Sequence, residues 1–105
     1  RICVLSARDG SFKRSFGRKG SRNGKFDNPY DICVSNDGQF IVVTDSNNNR
    51  VQVLRNDGSF VASYGSFGNG KGQFIYPTSI YLSNEGDLFV CDNSNNRIVR
   101  LHALN

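Results

Sequence analysis

The side chains best placed to do chemistry are basic and close together. Arg18, Lys19, Arg22 and Lys25 fall within eight residues, with Tyr30 just past Pro29, and a later stretch carries Lys71 ahead of Tyr76. Cationic groups interleaved with aromatic rings neutralise phosphates while bases stack on the rings, so this pattern suits single-stranded RNA or another polyanion. The plainer reading of the same residues is a solvated rim. Residues 1–28 hold eight basic and two acidic side chains in a chain of net charge +4, so the charge is concentrated in the first quarter.

Two acid–base pairs recur. Asp45 precedes Arg50 across an asparagine-rich stretch, and Asp92 precedes Arg97 across another. An aspartate closing one strand and an arginine opening the next face each other over the connecting loop. A charge-assisted hydrogen bond there pins the loop, and the asparagines cap exposed backbone groups. These four residues are expected to hold structure. The glycine-rich stretches 17–25 and 65–72 look like phosphate cradles only superficially, because such cradles open into a helix and no helical period follows.

Catalytic and metal chemistry find little to work with. Cys3, Cys33 and Cys91 form no Cys-x-x-Cys pair, and His102 is the single histidine. Zinc needs clustered ligands, and no Ser-His-Asp set, carboxylate pair or Cys-His pair can be assembled. No catalytic residue, metal or cofactor is expected. The three cysteines are expected to be small, buried thiols on strands, in a reducing compartment. No apolar run nears the ~18 residues of a membrane span and no signal segment follows Arg1, which points to the cytoplasm. With no initiator methionine, the chain is expected to be an excised or processed segment.

The elements that position these residues come from a repeat. Sliding the sequence by 48 positions aligns residues 9–38 with 57–86, with 14 of 30 positions identical. After one residue is dropped, the stretch from Asp45 to Arg50 matches that from Asp92 to Arg97. Arg1, Ile2, Val4 and Leu5 echo the residues from Arg50 and from Arg97. Each period reads as four short strands. The first strands are Asp31–Ser35 and Ser79–Ser83. The second are Gln39–Thr44 and Asp87–Cys91, whose nearly continuous apolar runs suit burial on both faces. The third are Arg50–Arg55 and Arg97–Leu101; the fourth are Phe60–Tyr64 and, ahead of the first repeat, Phe12–Phe16. Turns at Asn36 to Gly38, Asn84 to Gly86 and Asn56 to Gly58 join them. The expected fold class is all-β: a β-propeller of four-stranded antiparallel blades, about two blades per chain. Residues 1–28 supply closing strands and the basic link, 29–65 the first complete blade, and 66–105 a second blade lacking its fourth strand.

The fixed positions resemble the NHL repeat family. They are Gly17, Gly20, Gly24, Phe26, Pro29, Ile32, Gly38, Asp45, Asn49, Arg50 and Val51, and again Gly65, Gly68, Gly72, Phe74, Pro77, Ile80, Gly86, Asp92, Asn96, Arg97 and Ile98. The residue before the arginine is often histidine in that family and is asparagine here. The resemblance implies blades of a propeller, most often six-bladed. It also implies binding roles, as in tripartite-motif ubiquitin ligases that grip proteins or RNA. Some similar propellers, such as peptide-amidating lyases, hold a metal through histidines near the channel, whereas His102 offers one imidazole per chain. The expected function is a non-catalytic binding or scaffold module presenting a propeller face to a protein partner. RNA binding through the basic link is the alternative, and a fragment of a metal-dependent enzyme is disfavoured. Two blades leave open flanks, so a homo-oligomer is expected, three copies closing a six-bladed ring with Phe12–Phe16 completing a neighbour's last blade. A fragment of a longer propeller is the rival explanation.

Overall fold

The structure, a computed structural model, describes residues 1–102, so the last three residues of the unit expected over 66–105 lie outside the described residues. The strands are β1 (Ile2–Leu5), β2 (Phe12–Phe16), β3 (Pro29–Val34), β4 (Phe40–Asp45), β5 (Arg50–Arg55), β6 (Phe60–Tyr64), β7 (Pro77–Leu82), β8 (Asp87–Asp92) and β9 (Arg97–His102). They form three antiparallel sheets, ordered β1-β2, β3-β4-β5-β6 and β7-β8-β9. The chain is all-β and forms part of a propeller. β3 and β7 begin two residues earlier than the alternation suggests, at the prolines. Proline is tolerated there because the first position of a strand need not donate to the ladder.

Strand composition and turn chemistry explain these sheets. At the β3–β4 turn the Asp37 carboxylate accepts from the Gln39 N–H at 2.9 Å and the Ser35 hydroxyl at 2.7 Å, and Gly38 takes φ 75°. Asp9 and Asp57 accept in the same way from the N–H groups of Ser11 and Ser59. Each aspartate reproduces a backbone turn with its side chain, which sets the register of the hairpin.

The core lies in the seams between sheets. Phe26, Ile41, Val43 and Leu54 form one buried cluster, with Ile2, Phe16 and Phe60 packed on it from β1, β2 and β6. Val42, Val51, Val53, Phe74, Leu88 and Val90 form the other. β4 therefore sends Ile41 and Val43 into one seam and Val42 into the next, which is why its sequence is apolar throughout. Polar bonds cross the second seam too. Thr44 Oγ1 donates to the Thr78 carbonyl at 2.6 Å, Ser46 Oγ donates to the Pro77 carbonyl, and the Ile80 N–H donates to Asp31 Oδ2 at 3.0 Å.

Two findings depart from the sequence reading. Single 3-10 turns occupy Ser46–Asn48 and Asn93–Asn95, each ended by an asparagine at φ 53°. Short polar side chains tolerate this left-handed conformation, so the asparagine runs fold into compact corners. The cysteines are strand-borne but not buried. Cys3 is exposed, and Cys33 and Cys91 are half-covered. Cys3 and Cys91 lie on the first and last sheets of the described residues. Burial, with the Asp31 charge beside it, pushes the Cys33 thiol up to about 11.

Candidate binding site on the link face

Each sheet is joined to the next by a link, residues 17–28 and 65–76, folded back on itself. In the first, the Gly20 N–H donates to the Phe26 carbonyl at 2.9 Å and the Phe26 N–H to the Arg18 carbonyl at 3.0 Å. Gly68, Phe74 and Ser66 repeat those bonds in the second. Phe26 and Phe74 are buried at the base of their links. A Cβ at Gly17 or Gly65 would overlap those rings, and both glycines have positive φ, so the site demands glycine twice over.

The acid–base pairs anchor these links. Arg50 Nε donates to Asp45 Oδ2 at 2.7 Å, and its Nη2 donates to the carbonyls of Arg22 and Lys25 at 3.0 and 2.9 Å. Arg97 does the same with Asp92 at 2.7 Å and with the carbonyls of Gly70 and Gln73. Asn48 and Asn95 each bridge their aspartate to a link carbonyl, those of Gly20 and Gly68. The links and the 3-10 turns consequently share one end of the molecule, the link face. Gln52 is a link-holding residue that sequence reasoning missed. Fully buried, it donates to the Lys25 carbonyl at 2.6 Å and accepts from the Gly24 N–H at 2.8 Å. Its signal was a polar residue between Val51 and Val53 where the repeat has Val99.

With its carbonyls occupied, the first link projects Arg18, Lys19 and Arg22 into solvent, while Lys25 is half-buried, its aliphatic stem lying over Gly20. Arg18 and Lys19 border a recess of about 580 Å³ together with Arg1. Arg1 also borders a smaller recess of about 140 Å³ lined by Tyr30, whose ring is 58% exposed. Lys71 stands apart on the second link. Tyr76 is half-buried and already engaged: its N–H donates to Asn49 Oδ1 at 2.8 Å and its hydroxyl accepts from the Asn28 side chain. The more exposed ring of the second link is Phe67, at 68%.

The opposite end mixes both signs, with Arg8 and Arg55 among its acidic turn residues. Hydrogen bonds from Ser11, from Ser35 with Gln39, and from Ser59 hold the carboxyls of Asp9, Asp37 and Asp57 below the usual carboxylate range. A groove of about 260 Å³ there runs between Asp37 and Glu85 over Phe40 and Leu82. Among the described residues no three His, Cys, Asp or Glu side chains converge as a metal site, and no helix is long and apolar enough to cross a membrane. His102 ends β9 in contact with Asp87.

Comparison with known proteins adds two findings. Residues 6–103 match a family model described as a 6-bladed beta-propeller. Over 41 residues, 39% of this chain, the sequence is 44% identical to the E3 ubiquitin-protein ligase TRIM71 of Xenopus tropicalis; the match spans 5% of that relative's length.

Proposed function

The chain belongs to the 6-bladed β-propeller family, and from that premise we propose that it is a non-catalytic binding module whose link face grips an acidic segment of a partner protein. The observation that supports this most is the exposure of Arg18, Lys19 and Arg22 on a loop whose carbonyls are already held by Arg50 and Gln52. A loop fixed before the partner arrives has little ordering entropy left to lose on binding. The name of the similar ubiquitin-protein ligase is in keeping with recognition of a protein. The second reading, single-stranded RNA, draws on the exposed Tyr30, which borders Arg1 next to the recess of Arg18 and Lys19.

Fluorescence anisotropy with an oligoglutamate peptide and an oligouridine tests both. The triple variant Arg18→Ala, Lys19→Ala, Arg22→Ala is expected to weaken the true ligand at least about tenfold. If the ligand is RNA, the slope of log affinity against log salt also falls by about 2 in the variant. A wild-type chain that binds neither probe at low ionic strength overturns both readings.

We propose that three copies, at two blades' worth of strands each, complete the ring; further blades on a longer chain are the alternative. Native mass spectrometry of the 105-residue chain tests this: a trimer supports it and a persistent monomer overturns it. The three free thiols fit a reducing compartment such as the cytoplasm.

A further inference from the structure

The tripeptide Asn-Gly-Lys occurs in both links, at Asn23 to Lys25 and at Asn69 to Lys71. The two copies are not equivalent in the repeat, because Asn23 is the counterpart of Lys71 and Asn69 that of Ser21. Asparagine before glycine readily loses its side-chain amide, since glycine has no side chain to shield the backbone nitrogen that attacks it. The surrounding structure then decides how freely that nitrogen reaches the asparagine Cγ.

In the first link the nitrogen is held. Asn23–Gly24 is the central peptide of a turn closed by the Lys25 N–H on the Arg22 carbonyl at 3.0 Å, with Gly24 at φ 84°. The Gly24 N–H donates to Gln52 Oε1 at 2.8 Å. Gln52 is fully buried and is itself fixed, its Nε2 donating to the Lys25 carbonyl and to Asp45 Oδ2. In the second link Asn69–Gly70 stands one step ahead of the corresponding turn, which the Gln73 N–H closes on the Gly70 carbonyl at 3.2 Å. The Gly70 N–H donates to Gln73 Oε1 at 3.0 Å, but Gln73 is only half-buried and belongs to the same link. Val99 stands where Gln52 reaches over from the sheet in the first blade. The carbonyl of the Asn69–Gly70 peptide also accepts from Arg97 Nη1 at 2.9 Å. A guanidinium on that oxygen draws charge from the amide and makes the Gly70 N–H more acidic. Asn69 itself is exposed.

We infer that Asn69 is a site of self-modification, deamidating through Gly70 while Asn23 is protected. Hydroxide removes the Gly70 amide proton, and the nitrogen electron pair attacks Asn69 Cγ. The Cγ–Nδ2 bond breaks, and ammonia leaves with a proton taken from water. A second water opens the cyclic imide at either carbonyl, giving aspartate or isoaspartate. Both products put a carboxylate on the link face two residues before Lys71, and isoaspartate lengthens the backbone by a carbon at the point that Arg97 holds.

Peptide-mapping mass spectrometry of the full chain, kept in neutral and in mildly alkaline buffer, tests this. Acid at position 69, isoaspartate included, is expected to accumulate at least about tenfold faster than at position 23, the factor that one or two additional hydrogen bonds represent. The reaction is expected to quicken in the alkaline buffer. In guanidinium chloride, where the chain is unfolded, the two identical tripeptides are expected to react at similar rates. Gln52→Ala is expected to speed the reaction at Asn23, with circular dichroism to establish that the variant folds; where it does not, folded and unfolded wild type compared at both sites decide. Equal rates at the two sites in the folded chain overturn the inference. So does a folded chain that stays intact at position 69 while the unfolded chain reacts there, or a folded Gln52→Ala variant in which Asn23 is still protected.

Discussion

Asp45 and Asp92 show how much one buried carboxylate can organise. Asp45 accepts from the Asp27 N–H, Asn48 Nδ2, Arg50 Nε and Gln52 Nε2. Asp92 accepts from the Ile75 N–H, Asn95 Nδ2 and Arg97 Nε, Val99 having no group to donate. The Arg50 side chain is 11% exposed and that of Arg97 34%, so the first pair has less water to fall back on. Asp45→Ala is expected to cost about 3–5 kcal/mol, because it strands a nearly buried guanidinium, and Asp92→Ala distinctly less; urea unfolding of the two variants measures the difference. Asp87 gives a pH prediction. Its hydrogen bonds from His102 and then Arg100 hold its carboxyl below the usual range. A depressed folded-state value stabilises the fold above the ordinary carboxylate pKa and ceases to do so as the pH falls through the folded-state value. Asp87→Asn is therefore expected to be less stable than wild type at neutral pH, the gap closing below about pH 4; denaturation at stepped pH values follows it.

Among elements, the links are the most constrained. Gly17 and Gly24 both have φ 84°, yet a Cβ at Gly17 meets the Phe26 ring and one at Gly24 meets nothing within 4 Å. Gly24→Ala is expected to cost about 1 kcal/mol from backbone strain alone, and Gly17→Ala about 2–4 kcal/mol from strain plus overpacking; thermal melts of the two variants separate these terms. The two flanks of a blade also differ in kind. Where β4 and β5 turn Phe40 and Val53 toward the next sheet, β8 and β9 turn Asp87 and Arg100 outward as an ion pair. The repeat, spaced at 47 residues here after the dropped residue, aligns these positions but gives no hint that the later ones would find each other.

For the whole molecule, charge is spread unevenly between the two ends. The link face bears Arg18, Lys19, Arg22 and Lys71, and the hairpin turns at the other end mix Asp9, Asp37, Asp57 and Glu85 with Arg8 and Arg55. The flanks between them expose Leu5, Phe12, Tyr81 and Ile98. Exposed patches of this sort bind apolar dyes until they are covered. If three copies close the ring as proposed, anilinonaphthalene sulfonate fluorescence per chain is expected to fall as concentration rises; a dilution series reads it.

The strands, the turns and the near-duplicate blades were set by sequence, because period-2 alternation, Asp-Gly turn chemistry and a repeat are local properties that each segment carries by itself. The pairing of Asp45 with Arg50 and of Asp92 with Arg97 could be read for the same reason, since five residues separate the partners. Tertiary structure alone decided which groups meet across a seam or over a link. It seated Gln52 under a loop 27 residues away, closed Asn49 on Tyr76 and left Cys3 uncovered. Those outcomes depend on how sheets stack around an axis, and stacking is fixed by the shapes of several distant segments together.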